Sequence, residues 1–341
     1  MHLPRWFWCC TVASAFIGIA AGITYRIADP EQLELDAAAR RSAPGQFVRL
    51  AEGYTHYDLA GPPDGRVAVL AAGGSVPYYI WDPIFTALVA RGFHVLRYDY
   101  YGRGFSDRPH VSYTQDLYVR QLAELLDTLG IHAQIDLLAL SFGGSVATSF
   151  AEQYPGRVHS LAYIDPAFRS PRPVPRLARF APAWHFQMAV SMERALANEQ
   201  LGDFLHPERF PDWPARYEVQ LQFRGFRRAR LSHILSFAEE DQTEKLRRVG
   251  QHPRPVLLIW GRQDRVVPFE LSAQVMALMP RAKLVAVDSA GHLPHWEQPE
   301  VVVPAVIDFL QRGETMEESS GARSFSSTGG EDTVACQHIT Q

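Results

Sequence analysis

The stretch IDLLALSFGGSVATSFAEQY, residues 135–154, decides the fold. Its first six residues form the short, nearly continuous apolar run expected of a strand buried on both faces. Its second half, GGSVATSFAEQY, reads as a helix. Ser141 stands at the junction, followed by Phe142, Gly143 and Gly144. A serine on a sharp strand-to-helix turn presents its hydroxyl above the sheet, and small neighbours tolerate the strained backbone. The helix N-terminus behind it favours developing negative charge. Ser141 is the candidate nucleophile.

Working outward, strand-like runs fall at 46–51, 54–59, 67–71, 94–98, 158–164, 255–260 and 283–287, besides 135–140. Helical patterns lie at 81–91, 114–129, 143–154, 270–279 and 299–312. This alternation predicts an α/β fold with a mostly parallel, doubly wound sheet. Residues 168–252 hold no convincing strand, and so long a loop is out of place in a compact domain. They read as a helical lid inserted into a domain of residues 46–312 and covering the ends of the sheet, its aromatics forming its own core and a few, such as Trp184 and Phe186, lining a pocket.

A serine needs a base, and the base an orienting acid. Asp264 follows the run PVLLIW, and His292 follows KLVAV. Both therefore belong on the carboxyl rim of the sheet with Ser141, where open parallel sheets place their sites. Asp165, at the end of LAYI, is the rival acid; Asp288 lies too near His292 in sequence. His295 is the rival base, read instead as a cap for the helix near Trp296.

Four motifs in order, AAGGS (71–75), YDYYGRGFSDRP (98–109), LSFGG (140–144) and the pair GRQDRVVP (261–268) with GHLPHWE (291–297), resemble the α/β-hydrolase superfamily over about residues 46–312. The resemblance implies Ser141 as nucleophile, Asp264 as acid and His292 as base. Gly74 and Phe142 are the implied oxyanion donors, and no metal or organic cofactor is required. Two positions depart from the pattern. Ala139 stands where the family has glycine, and Ala72 replaces a histidine that commonly braces the oxyanion loop. The run 99–106 is read as structural.

The implied activity is acyl transfer on a small-molecule carboxylic ester of lipophilic character, a monoacylglycerol or medium-chain ester. The same motifs resemble carbon–carbon hydrolases that cleave vinylogous diketones, which is the alternative. A non-catalytic, membrane-tethered binding protein is a third reading, hinted at only by Ala72 and Ala139. The arginines at 224, 227, 228 and 230 read as a solvated or membrane-facing helix face.

A net charge of −4 offers no footprint for nucleic acid. Cys9, Cys10 and Cys336 make no disulfide framework or metal spacing. Between Arg5 and Arg26, Trp6 to Tyr25 carry no charge, long enough for a bilayer core. Residues 1–27 are therefore expected to be a single-pass anchor holding the catalytic domain outside the cytoplasm; the alternative is a signal peptide and a secreted chain. Residues 28–45 read as a polar spacer, and 313–341 as a disordered tail.

Overall fold

All eight expected strands form, and they pair into one sheet among the residues that the computed structural model describes, 5–170, 174 and 176–324. They are β1 (Gln46–Arg49), β2 (Tyr54–Ala60), β3 (Val67–Ala71), β4 (His94–Tyr98), β5 (Ile135–Leu140), β6 (Val158–Ile164), β7 (Val256–Gly261) and β8 (Lys283–Val287). The spatial order is β1-β2-β4-β3-β5-β6-β7-β8. β2 runs antiparallel to β1 and β4, and the remaining neighbours are parallel. Burial follows the apolar content: β5 and β7 are buried throughout, whereas edge strand β1 has no buried residue.

Two helices, α1 (Arg5–Ala28) and α2 (Ala37–Ser42), precede the sheet. The crossovers are α3 (Asp82–Ala90), α4 (Gln115–Thr128) and α5 (Gly143–Gln153). Parallel neighbours need such crossovers, because a hairpin cannot join them. Alternate strand residues then go to opposite faces. Val69, Leu137 and Leu258 pack with Leu122 of α4 and Phe150 of α5. Leu70, Leu138 and Ile259 pack instead with Leu88 of α3.

Residues 168–252 carry α6 (Ala181–Gln187), α7 (Glu193–Glu199), α8 (Trp213–Leu221), α9 (Phe226–Ala238) and α10 (Thr243–Gln251). Trp213 packs edge-on against Phe204 and Trp296, with ring centroids 5.0 Å apart in both cases. Phe186, expected to line a pocket, stacks instead on Tyr25 of α1. The chain closes with α11 (Leu271–Leu278), α12 (Pro294–Glu297) and α13 (Pro299–Ser324). Residues 313–324 of the expected tail continue α13, and the rest of that tail lies outside the described residues.

The N-terminal expectation is corrected. Trp6 to Tyr25 lie in α1, but among the described residues no helix is long and apolar enough to cross a membrane. The single-pass anchor with an extracytoplasmic domain is therefore withdrawn.

Of the arginine cluster, Arg224 is exposed, but Arg227 is not part of a solvated face. Arg227 is 3% exposed and pairs with Asp29 at 2.6 Å and Glu31 at 3.5 Å. Glu31 additionally accepts the N–H groups of Gly225 (2.8 Å) and Arg227 (2.6 Å), which open α9 and have no partner within it. Leu33 forms a bridge with Phe223, so the segment read as a spacer lies strapped to this helix. Arg224 pairs with Glu34 at 3.0 Å, and Arg228 donates to the carbonyls of Arg108 and Pro109.

Glu31→Ala removes both N–H acceptors and one carboxylate of a buried ion pair. It is expected to cost about 2–4 kcal/mol, read as a lower urea midpoint. An unchanged midpoint would show the strap to be energetically idle.

Candidate active site

Ser141 sits at φ +52°, a left-handed conformation that non-glycine residues rarely adopt. The turn is pinned from both sides: the Ser141 N–H donates to the Ile164 carbonyl (3.0 Å), and the Ala167 N–H donates to the Ser141 carbonyl (2.9 Å). Gly143 is required sterically, since a β-carbon there would lie 2.5 Å from the carbonyl oxygens of both Ala71 and Ala72. Ala139 causes no such conflict. It is an ordinary residue of β5, paired in register with Ala71 and Tyr163, so its methyl packs into the core on one face of the sheet rather than in the turn.

On the same rim, His292 Nδ1 donates to Asp264 Oδ2 at 2.7 Å, with both residues buried. Asp264 Oδ1 accepts the N–H groups of Val266 (2.7 Å) and Val267 (2.9 Å). Three donors thus hold one carboxylate in place, and the bond to Nδ1 leaves Nε2 as the imidazole's basic nitrogen. Asp165, the rival acid, lies close by, but its Oδ1 accepts the Gly261 N–H at 2.9 Å. Asp288 is exposed and pairs with Arg262 at 2.8 Å.

The oxyanion candidates adjoin the serine. A β-carbon on Gly73 would lie 3.6 Å from Ser141 Cβ, and one on Gly74 would lie 3.3 Å from Phe142 Cβ. The N–H groups of Gly74 and Phe142 donate to no other group among the described residues. Preorganised donors without a protein acceptor suit a developing oxyanion.

The brace lost with Ala72 is replaced from other elements. Arg103 Nε donates to the Gly74 carbonyl at 2.7 Å, and Gln220 Nε2 donates to the Ser75 carbonyl at 3.0 Å. The His233 ring, 4.6 Å from that of Phe142, has its Nε2 3.1 Å from where a Gly74 β-carbon would be. The His292 loop is held similarly: the His292 N–H donates to the Asp203 carbonyl (2.8 Å). Glu297 accepts from the N–H groups of Gly291, Leu205 and His206. His233, Gln220 and Asp203 were missed in the sequence, because 168–252 offers no motif to single them out.

His295 is neither base nor helix cap. Its Nε2 donates to the Ile80 carbonyl at 2.8 Å, and its buried Nδ1 has no partner among the described residues. Protonating Nδ1 would create an unsatisfied buried cation, and burial lowers this imidazole to about 4. A histidine depressed in the fold stabilises it fully above its unfolded value of about 6.5 and loses that contribution as pH falls toward the folded value. Stability should therefore decline between about pH 6.5 and 4, by up to roughly 3 kcal/mol from this group. His295→Gln, which keeps a donor for Ile80, should flatten that part of a stability–pH curve; an unaltered slope would assign the acid sensitivity elsewhere.

A 2-hydroxy-6-oxononadienedioate/2-hydroxy-6-oxononatrienedioate hydrolase of Burkholderia vietnamiensis is 27% identical over 288 residues, covering 80% of this chain and 97% of its own. A 2-hydroxy-6-oxo-2,4-heptadienoate hydrolase of Pseudomonas putida is 26% identical, covering 72% and 89%. Among solved structures, a thermophilic esterase of Thermogutta terrifontis superposes with a TM-score of 0.68 at 24% identity, covering 79% of this chain and 99% of that one. The family described as "Alpha/beta hydrolase family" matches residues 68–305, most of the chain's length. With its sheet order and the turn at Ser141 in agreement, the chain belongs to the alpha/beta hydrolase family.

Proposed function

We propose that this hydrolase uses Ser141, His292 and Asp264 to cleave the carbon–carbon bond of a vinylogous diketone. The observation carrying the substrate class is the end-to-end similarity to hydrolases of hydroxy-oxo-dienoates, which covers 97% of the Burkholderia vietnamiensis enzyme. In this reading His292 Nε2 takes the Ser141 proton and the alkoxide attacks the ketone carbon. The N–H groups of Gly74 and Phe142 receive the oxyanion. Collapse breaks the carbon–carbon bond, the conjugated carbonyl takes up the electron pair, and the imidazolium returns the proton to the departing carbon. Water then releases the acyl group from Ser141 by the same base. The helical layer over 168–252 serves as a lid that sets which acyl group fits.

The ester reading keeps one specific support. Dienoates carry a carboxylate, yet Arg224, Arg227 and Arg228 are engaged with Glu34, with Asp29 and Glu31, and with backbone carbonyls. Arg103 answers this on the carbon–carbon side. It is 2% exposed, lies against the oxyanion loop, and has no carboxylate partner among the described residues.

A fluorophosphonate probe is expected to label the wild type at Ser141, and Ser141→Ala or His292→Ala should lower turnover by several powers of ten. Asp264→Asn should lose about 10³–10⁴-fold, through the wrong histidine tautomer. A tenth of wild-type activity in the serine or histidine variant would sink the triad. Assayed side by side, a 2-hydroxy-6-oxodienoate should exceed p-nitrophenyl acetate in kcat/KM. Turnover of the ester alone would install the ester reading instead.

A further inference from the structure

Asp165 is a fully buried carboxyl for which the proposed chemistry has no task. It lies just past β6 at φ +43°, and its N–H donates to the Ile259 carbonyl at 3.0 Å, continuing the pairing with β7. Its Oδ1 accepts one N–H, from Gly261, while its buried Oδ2 has no hydrogen-bond partner among the described residues. Ligand atoms of Asp165, Asp264 and His292 lie within 4.8 Å of one another. Two carboxyls packed so closely away from water cannot both ionise, and one proton must stay with the pair. Donor count decides where it stays. Asp264 has two N–H donors and the imidazole, whereas Asp165 has one. Charge belongs where the donors are.

We propose that Asp165 is a positioning residue held as the neutral acid, its Oδ2–H donating to the Asp264 carboxylate and fixing that carboxylate against His292. A lone unpartnered acceptor becomes a donor, and Asp264 gains a further hydrogen bond. Burial first, and then the charge of Asp264, push the Asp165 carboxyl well above the usual carboxylate range. The other acid facing it is Glu297, which is spent on three N–H groups and acts in the same upward direction. A hydrogen bond donated to the Asp264 carboxylate draws part of its charge away from the imidazole, so His292 is oriented without being locked as the imidazolium.

The inference rests on Ser141, His292 and Asp264 as the working triad, and its test has one arm independent of that reading. In an infrared difference spectrum of wild type minus Asp165→Asn near neutral pH, the carbonyl stretch of a protonated carboxyl should appear. A spectrum without it overturns the proposal. For function, Asp165→Asn retains a donor and should keep kcat on p-nitrophenyl acetate within about threefold. Asp165→Ala should lower kcat roughly 10–100-fold with KM little changed. The acid limb of kcat/KM should stay within ~0.3 unit in the asparagine variant and move upward in the alanine variant. An asparagine variant whose limb falls by about a unit has lost a negative charge, which would mean that Asp165 is ionised. Protein that keeps the infrared band but neither turns over nor takes the probe would sink the triad and leave the shared proton standing.

Discussion

The start of α5 approaches the end of β3 so closely that Gly143 has no room for a side chain: its β-carbon would sit 2.5 Å from two carbonyl oxygens. This approach brings the loop after β3 against the turn after β5, which are neighbouring strands in the sheet. It forces Ser141 into the left-handed region and aims the turn at the loop that carries Gly74. Strain of this kind costs on the order of 1–3 kcal/mol and persists only where the surroundings over-determine it. Here they do, through the backbone bonds from β6 and its following loop on either side of the serine.

The layer over the rim is tied to both halves of the site. Gln220 and His233 meet the loop bearing Gly74, while Asp203, Leu205 and His206 meet the loop bearing His292. A cover attached at both points positions the groups beneath it as well as shaping the space between them. A change in the layer therefore reaches the loop bearing Gly74 through the Gln220 hydrogen bond and the adjacent His233 ring.

The fold was legible because its signals are local. Continuous apolar runs such as VLLIW, and the LSFGG turn, declare themselves within a few residues, and the strands formed within a residue or two of expectation. The Asp264–His292 contact was legible for a related reason, since both residues follow strands and the rim gathers strand ends. Contacts made at a distance were not. Nothing around Glu31 announces that it will cap a helix beginning at Phe226, and a run of arginines looks solvated until its acids are found. Asp165 was visible only as a competitor for the role of Asp264, because sequence shows which residues can share a rim but not which oxygen lacks a donor. The stretch from Trp6 to Tyr25 was read as an anchor from its length and lack of charge, whereas among the described residues no helix is long and apolar enough to cross a membrane.

The strap of residues 29–33 onto α9 has a consequence for the order of assembly. Glu31 and its backbone partners at 225 and 227 are separated by 194 and 196 residues. Closing so long a loop in a flexible chain costs on the order of 5 kcal/mol in entropy, and that cost must be met before the contact returns anything. Such contacts form late, after the local strand–helix units have condensed. During synthesis the acids of this segment leave the ribosome long before Arg227 is made, and they wait in water until it is. The strap is therefore a closing clasp rather than a nucleus. Weakening it should chiefly speed unfolding, leaving the early folding steps to the sheet.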